Sequence, residues 1–356
     1  MKIHYNAPFN KLSYGYTAFY IFSELIKLGH DLCYYPIGPV EDCMKATAVN
    51  YYFGNKSSIE DYKNNAVSLK IWHQNEVHGS PCKAKHFGFP IFELDNFRNY
   101  EINSMNLCDE IITCSKWGAG IVEEKTNRKC SVVPLGIDRS IFKPCGQNTL
   151  EKTIFFNAGK WEKRKGHEDL IECFNNAFSK NDNVELWLMC DNPFMHINQK
   201  NEILRNIKNS NLGDKIRIID RVDTHEQVYQ IMKKVDVGVF PSRAEGWNME
   251  LLELISIGKH AIATNYSGHT EYLNASNCFL IPIDKLETAY DDIWFHGQGS
   301  WAHLGVNEIS LIIEGMRALH KKKQTGSLGI NNAGIETGDK FTWGNSALKL
   351  TEILSN

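Results

Sequence analysis

The sequence predicts an α/β protein made of two Rossmann-like domains that face each other across a cleft. Three observations carry this expectation. A chain of 356 residues exceeds the usual size of one domain and suits two. Short apolar runs alternate with amphipathic ones in the order strand, loop, helix, and the series occurs twice. Between the two series, 143–153 is polar and aperiodic, with Pro144, Gly146 and Asn148, as a linker is. The domains are therefore drawn at 1–148 and 149–330, with a C-terminal segment, 331–356, packing back on the first.

The first series opens with a strand over 2–5 and a helix over 16–28. In that helix Ala18, Phe19, Phe22, Leu25 and Ile26 share a face, and Gly29 stands at the C-terminal cap. Strands are expected at 32–35, 67–72, 87–92, 110–114 and 130–134, with a helix over 117–125 between the last two. The second series runs strand 154–158, helix 167–178, strand 184–189, helix 199–207, strand 216–219, helix 227–234, strand 237–240, helix 249–257 closed by Gly258, and strand 260–264. Strands this short and this uniformly apolar fit a parallel sheet covered on both faces. Beyond 280 the periodicity thins. There 294–301 reads as a loop, 308–323 as a helix, 325–338 as a glycine- and asparagine-rich connection, and 340–354 as a last helix with Phe341 and Trp343 at its start.

Apolar residues at 42% and charged residues at 23% are those of an ordinary globular chain. The net charge is -3, and 1–148 hold 16 basic against 15 acidic side chains, so neither half is a basic platform. This excludes a protein whose affinity rests on neutralising many phosphates, while leaving a local basic site open. The ten cysteines show no CxxC pair and lie in apolar runs, as reduced core thiols do. No signal-like apolar core follows Met1 and no 18-residue apolar stretch occurs, so the protein is expected to be soluble and cytoplasmic. The sequons at Asn55 and Asn274 then carry no glycosylation expectation.

Two segments concentrate the chemistry. In 241–253, PSRAEGWNMELLE, a strand ends at Phe240 and a helix starts near Met249, so the loop presents backbone amides at a positive helix end, where an anion is favoured. Glu245 sits on the loop and Glu253 in the helix, and helix geometry does not make them a side-by-side metal pair. Spacing alone suits two solvated surface carboxylates equally well. In 158–166, AGKWEKRKG, four cations follow the first strand of the second series and can surround phosphate oxygens. The glycine spacing and terminal hydroxyl of a P-loop are missing. A charged surface turn reads the same way in isolation.

The ordered set resembles the retaining GT-B glycosyltransferases of family 4, the glycosyl transferases group 1. Their paired-glutamate signature, usually close to EGFGLPLLEAMA, stands here as EGWNMELLELIS, followed by 258–272 with its strand and glycine-containing loop. Upstream, 111–115, 132–138 and 142–144 resemble the exit from the acceptor domain, and 155–170 the opening of the donor domain. The likeness is good over about 85–275. It implies a nucleoside diphosphate sugar as donor, with no cofactor and no metal. Glu245 is then expected at the transferred sugar and Glu253 at the ribose, with Gly159, Lys160 and Lys165 at the diphosphate. Val222, Asn248 and Met249 complete the donor site, Gly15 approaches the diphosphate from the N-terminal domain, and His73 faces the sugar near its C6 hydroxyl. Glu93, in GFPIFE, is expected near the acceptor, and acceptor recognition in the loops 6–14 and 38–58. Lys160 stands where the family commonly has arginine, and Tyr14-Gly15 where it has a glycine pair.

The same resemblance implies front-face attack through an oxocarbenium-like ion pair, with the leaving phosphate taking the acceptor proton. The expected partners are the nucleotide sugar and a glycan, lipid-linked or other hydroxyl acceptor, with peripheral membrane contact open and a nucleic acid acceptor disfavoured by charge. Asp291-Asp292 lies outside the patterned region, and His78, His86 and His167 are scattered, so no metal set is read from them. The rivals are a sugar-nucleotide epimerase, a phosphorylase, for which the chain is short, and a noncatalytic nucleotide-sugar-binding protein.

Overall fold

The computed structural model describes residues 1–52 and 59–356; Asn55 and the 53–58 part of the 38–58 loop lie outside them. The chain divides into two compact units, Met1–Gly136 with Phe341–Asn356, and Ile137–Lys340.

The first unit runs β1 (Lys2–Ala7), α1 (Ser13–Lys27), β2 (Asp31–Pro36), α2 (Asp42–Ala48), α3 (Ile59–Asn65), β3 (Val67–Ile71), β4 (His86–Phe89), α4 (Asn99–Asn106), β5 (Glu110–Thr113), α5 (Lys116–Thr126) and β6 (Cys130–Val132). Its sheet is parallel, in the order β2-β1-β3-β4-β5-β6. The expected strands are all present, but β4 stops at Phe89 and β6 at Val132, short of Pro90 and Pro134, which have no N–H to give a ladder. One face is filled by aromatic rings: Phe9 stacks on Tyr34 at 4.2 Å and meets Phe22 edge-on at 5.1 Å. Their polar tips are satisfied, Tyr5 Oη donating to the Ala18 carbonyl at 2.6 Å.

The second unit runs β7 (Thr153–Ala158), α6 (His167–Ala177), β8 (Val184–Met189), α7 (Ile197–Asn209), β9 (Ile216–Ile218), α8 (His225–Met232), β10 (Val237–Phe240), α9 (Met249–Ser256), β11 (His260–Thr264), β12 (Phe279–Ile281), β13 (Leu286–Tyr290), β14 (His296–Ala302), α10 (Val306–Gln324) and α11 (Asn332–Lys340); α12 (Trp343–Leu354) then belongs to the first unit. The sheet order is β12-β11-β10-β7-β8-β9, all parallel. Every residue of β7 and β10 is buried, because helices cover both faces. Phe155, Leu170, Phe174, Leu186, Val239 and Met316 share one core.

Five expectations are corrected. The stretch 143–153 is not a free linker: Cys145 N–H donates to the Ile257 carbonyl at 3.0 Å, Lys259 Nζ to the Gly146 carbonyl at 3.0 Å and Asn148 Nδ2 to the Lys234 carbonyl at 2.7 Å, so it lies against the second unit. The units accordingly divide at Gly136/Ile137 and at Lys340/Phe341, rather than at 148/149 and 330/331. The presumed loop 294–301 is mostly β14, paired antiparallel with β13. Its glycines and polar residues hid the alternation, while Trp301 is buried at one end. The glycine-rich connection 325–338 contains most of α11. A Cβ at Gly334 would lie 2.4 Å from the Ile255 carbonyl oxygen and one at Gly338 2.4 Å from Ser256 Cβ, so these glycines permit close packing on α9. The last helix starts at Trp343, not Lys340, where Thr342 Oγ1 caps it by accepting from Asn345 N–H. Periodicity also missed α2, α3 and α4, each eight residues or fewer.

Candidate functional site

In each sheet the strand order reverses once, and ligands in open parallel sheets sit beyond the carboxyl ends of the strands at such a point. In the second unit the reversal falls between β7 and β10. The loops that follow these two strands are 159–166 and 241–248, the two segments singled out by their residues.

The loop after β7 begins at Gly159, whose φ of +126° suits only glycine, and a Cβ there would come 3.1 Å from Lys165 Cε. The Lys165 side chain therefore lies against the bare backbone of Gly159. The turn ends at Gly166, with φ +70°; a Cβ there would stand 2.2 Å from the Pro241 carbonyl oxygen, so the two loops touch through their backbones. Arg243 N–H donates to the Arg164 carbonyl at 2.7 Å and locks the pair.

Glu245 is the hub of this arrangement. It is 3% exposed. Its Oε1 accepts from Ser242 Oγ at 2.8 Å and pairs with Lys165 Nζ at 2.8 Å, while Oε2 pairs with Arg164 Nη1 at 2.8 Å. Burial opposes its charge, yet Lys165 and Arg164 hold its pKa down to about 2. Lys165 is buried too; burial opposes its charge, but Glu245 and Glu250 hold its pKa above the ordinary lysine value. Glu162 forms a second hub, 3.0 Å from Lys160 Nζ and 2.9 Å from Arg164 Nη2. The half-exposed Lys160 ammonium also lies 5.4 Å from the Phe194 ring centroid.

The four cations of 158–166 are thus not equivalent. Arg164 is spent on Glu162, Glu245 and the Ala244 carbonyl, and Lys163 turns to the Tyr290 carbonyl of the β13–β14 hairpin. Lys160, Arg164 and Lys165 stand against Glu162 and Glu245, and Glu250, in the first turn of α9, is a third acid that acts on Lys165.

That helix begins at Asn248, whose φ of 67° is left-handed and whose Oδ1 accepts from Leu251 N–H at 3.4 Å. Tyr272 Oη donates to the carbonyls of Trp247 and Asn248, which ties down the end of the loop. Met249 is the first helical residue. Glu253, one turn along, is 5% exposed, and its carboxylate has no hydrogen-bond partner among the described residues. Burial, then Glu250, push its pKa well above the ordinary value. The two glutamates of the signature are therefore pushed in opposite directions, Glu245 toward the carboxylate and Glu253 toward the neutral acid. Val222 is half-buried in the loop between β9 and α8.

In the first unit the strand order reverses between β1 and β3, and the residues expected there follow those strands. Gly15 lies in α1 under the loop after β1; a Cβ would stand 2.1 Å from the Asn10 carbonyl oxygen. His73 is exposed just past β3, with its ring 4.6 Å from Tyr14 and 4.8 Å from Trp72. Tyr14 Oη in turn donates to the Ile91 carbonyl and accepts from Ile91 N–H, tying the start of α1 to the segment that carries Glu93.

Sequence reasoning missed Glu162, Ser242, Arg243, Ser267 and Glu287. Arg243 takes both oxygens of Asp169, at 2.6 and 3.1 Å, and Glu287 of β13 at 3.1 Å. Only Glu162 had a local signal, a lone acid within a basic run. Ser242 meets Glu245 three positions on, while Arg243, Ser267 and Glu287 become site residues through contacts 22 to 80 positions away in sequence.

A sequence profile described as glycosyl transferases group 1 matches residues 151–293. No curated protein matches the chain. Among solved structures, a glycosyltransferase from Rickettsia africae ESF-5 superposes with a TM-score of 0.73 at 15% identity, over 99% of this chain and 97% of that one. HepE of Anabaena in complex with UDP-glucose gives 0.70 at 13% identity, over 100% and 99%. Sucrose-phosphate synthase from Thermosynechococcus elongatus gives 0.70 at 13% identity, over 99% and 98%. The fold is the GT-B architecture of two Rossmann-like units, shared along the whole chain.

Proposed function

We propose that the chain is a retaining glycosyltransferase of the family 4 kind, which moves a sugar from a nucleoside diphosphate sugar to a hydroxyl of a glycan or lipid-linked acceptor. The observation that carries this reading is the convergence of Lys165 and Arg164, from the loop after β7, on the Glu245 loop that leads into α9 after β10, at the sheet's point of reversal, with Lys160 held on Glu162 of the same turn. The group 1 profile over the same segment and the likeness in fold to a UDP-glucose-bound protein support it.

The diphosphate is taken by Lys160, Lys165 and the backbone around Gly159, Asn248 and Met249. Negative charge grows on it as the glycosidic bond breaks, so donors fixed in advance favour the transition state over the bound substrate. Glu245 sets Lys165, Glu162 sets Lys160, and Glu245 stands at the sugar. Glu253 meets the ribose hydroxyls, and the burial that raises its pKa favours the neutral acid, which both donates and accepts. Val222 lies toward the base, and Gly15 and His73 serve the donor's diphosphate and sugar from the first unit. The test combines binding and turnover. UDP-glucose or another nucleotide sugar is expected to raise the melting midpoint, and transfer or slow hydrolysis to persist in EDTA. Lys165→Ala is expected to lower that rate about 100-fold or more, the cost of losing a buried charged donor. A variant within twofold of wild type rules out the phosphate assignment, and binding without any turnover makes the chain a noncatalytic nucleotide-sugar binder.

A further inference from the structure

After β11 the backbone passes through Ser267 at φ 67° and ψ -153°, a conformation open to glycine but strained for a residue with a Cβ. The side chain is 1% exposed. Its Oγ accepts from Glu245 N–H at 2.8 Å and donates to the Tyr266 carbonyl at 2.6 Å. The next residue completes the grip, as Gly268 N–H donates to the Glu245 carbonyl at 2.8 Å. Two consecutive residues therefore hold both backbone polar groups of Glu245, while Ser242, Arg164 and Lys165 hold its carboxylate. The loops meet so closely that a Cβ on Gly268 would lie 1.9 Å from the Gly246 carbonyl oxygen. Glycine at 267 would adopt this backbone freely, but it would leave the buried Glu245 amide without its acceptor. The strain is thus coupled to a hydroxyl that only a side chain can supply.

We propose that Ser267 is a positioning residue for the donor site: its hydroxyl fixes the Glu245 backbone and, through it, the carboxylate that aims Lys165 and Arg164. This rests on the transferase reading above. A carboxylate shared by three donors within 2.8 Å tolerates little displacement, so a turn free to shift by a few tenths of an ångström releases the Lys165 ammonium from its set position.

Two variants separate positioning from packing. Ser267→Ala keeps the strain and removes the hydroxyl; Ser267→Gly removes both. The glycine variant is expected to melt above the alanine variant, because its backbone is relaxed. Both are nonetheless expected to lose protection of the Glu245 amide from hydrogen exchange. Both are also expected to hydrolyse UDP-glucose with kcat about tenfold lower or less, KM changing much less. Activity that instead follows stability, recovered in Ser267→Gly and lost only in Ser267→Ala, overturns the proposal, as does unchanged exchange at Glu245 in both. If the wild-type chain neither binds nor hydrolyses UDP-glucose or another nucleotide sugar, that outcome counts against the transferase reading, and exchange at Glu245 decides the role of Ser267 alone.

Discussion

Glu245 and Lys165 face each other at 2.8 Å with little water around either, and each keeps the other ionised. Removing one member of such a pair strands the charge of the other. Glu245→Gln is expected to cost roughly 3–5 kcal/mol of unfolding free energy, because Lys165 and Arg164 then share a neutral amide. The same loss makes a diphosphate more valuable to the variant than to the wild type, since it restores the missing negative charge. UDP should therefore raise the melting midpoint of Glu245→Gln by more than it raises that of the unsubstituted protein. Equal shifts in differential scanning fluorimetry would show that Lys165 does not meet the diphosphate. Glu253 behaves differently, because burial and then the neighbouring Glu250 both raise its pKa.

At the scale of elements, the site is a junction of loops rather than the property of one. The turn after β7 is tied to the loop after β10 through Gly166 and Arg243, and the β13–β14 hairpin is tied to both. Ala302 N–H donates to the Arg243 carbonyl, and Glu287 gathers Arg243, Trp301 Nε1 and His303 Nδ1. The backbone contact at Gly166 leaves no room for a side chain, and its φ of +70° disfavours one independently. Gly166→Ala is expected to lose roughly 2 kcal/mol or more of stability in urea titration, and to weaken nucleotide binding as well, because the displaced loop carries Lys165. A variant with wild-type stability would mean that Pro241 moves aside without cost.

Across the whole molecule, buried histidines set the response to acid. Burial, the largest cause in each case, holds His4, His167, His225 and His269 neutral, with pKa values down to about 4 from 6.5. The unfolded chain binds protons at these positions below pH 6.5 and the folded chain does not until about 4. Their contribution is present above 6.5 and falls with pH through that window, by about 1.4 kcal/mol per pH unit for each histidine. Glu253 runs the other way: its folded pKa is raised, so its contribution declines as pH rises above 4.5. Glu245 acts only below 4.5, where its contribution falls as pH drops toward about 2. The four histidines outweigh the one glutamate, so unfolding free energy should fall steeply between pH 6.5 and 5. Urea midpoints measured at those two values test this, and equal midpoints would contradict the neutral assignment.

By itself the sequence determined the two parallel sheets and the chain positions of the loops at their carboxyl edges. Short apolar strands such as 154–158, 237–240 and 260–264 are buried on both faces, and burial on both faces leaves a local signature that needs no partner to be read. The E-x7-E spacing and the basic turn were legible for the same reason, being local patterns. Only tertiary structure decided what those residues do to one another. Nothing local distinguishes Arg164, spent on two carboxylates, from Lys160, or Glu245, ionised by its neighbours, from Glu253, pushed toward the neutral acid by burial. The hairpin, α11 and the true unit boundary were hidden likewise, because glycines that look like loop signals serve there as points of close packing, and polar residues that look like a linker find their partners more than 80 positions away. Charge state and contact are set by the fields and volumes of groups distant in sequence, which the folded chain alone brings together.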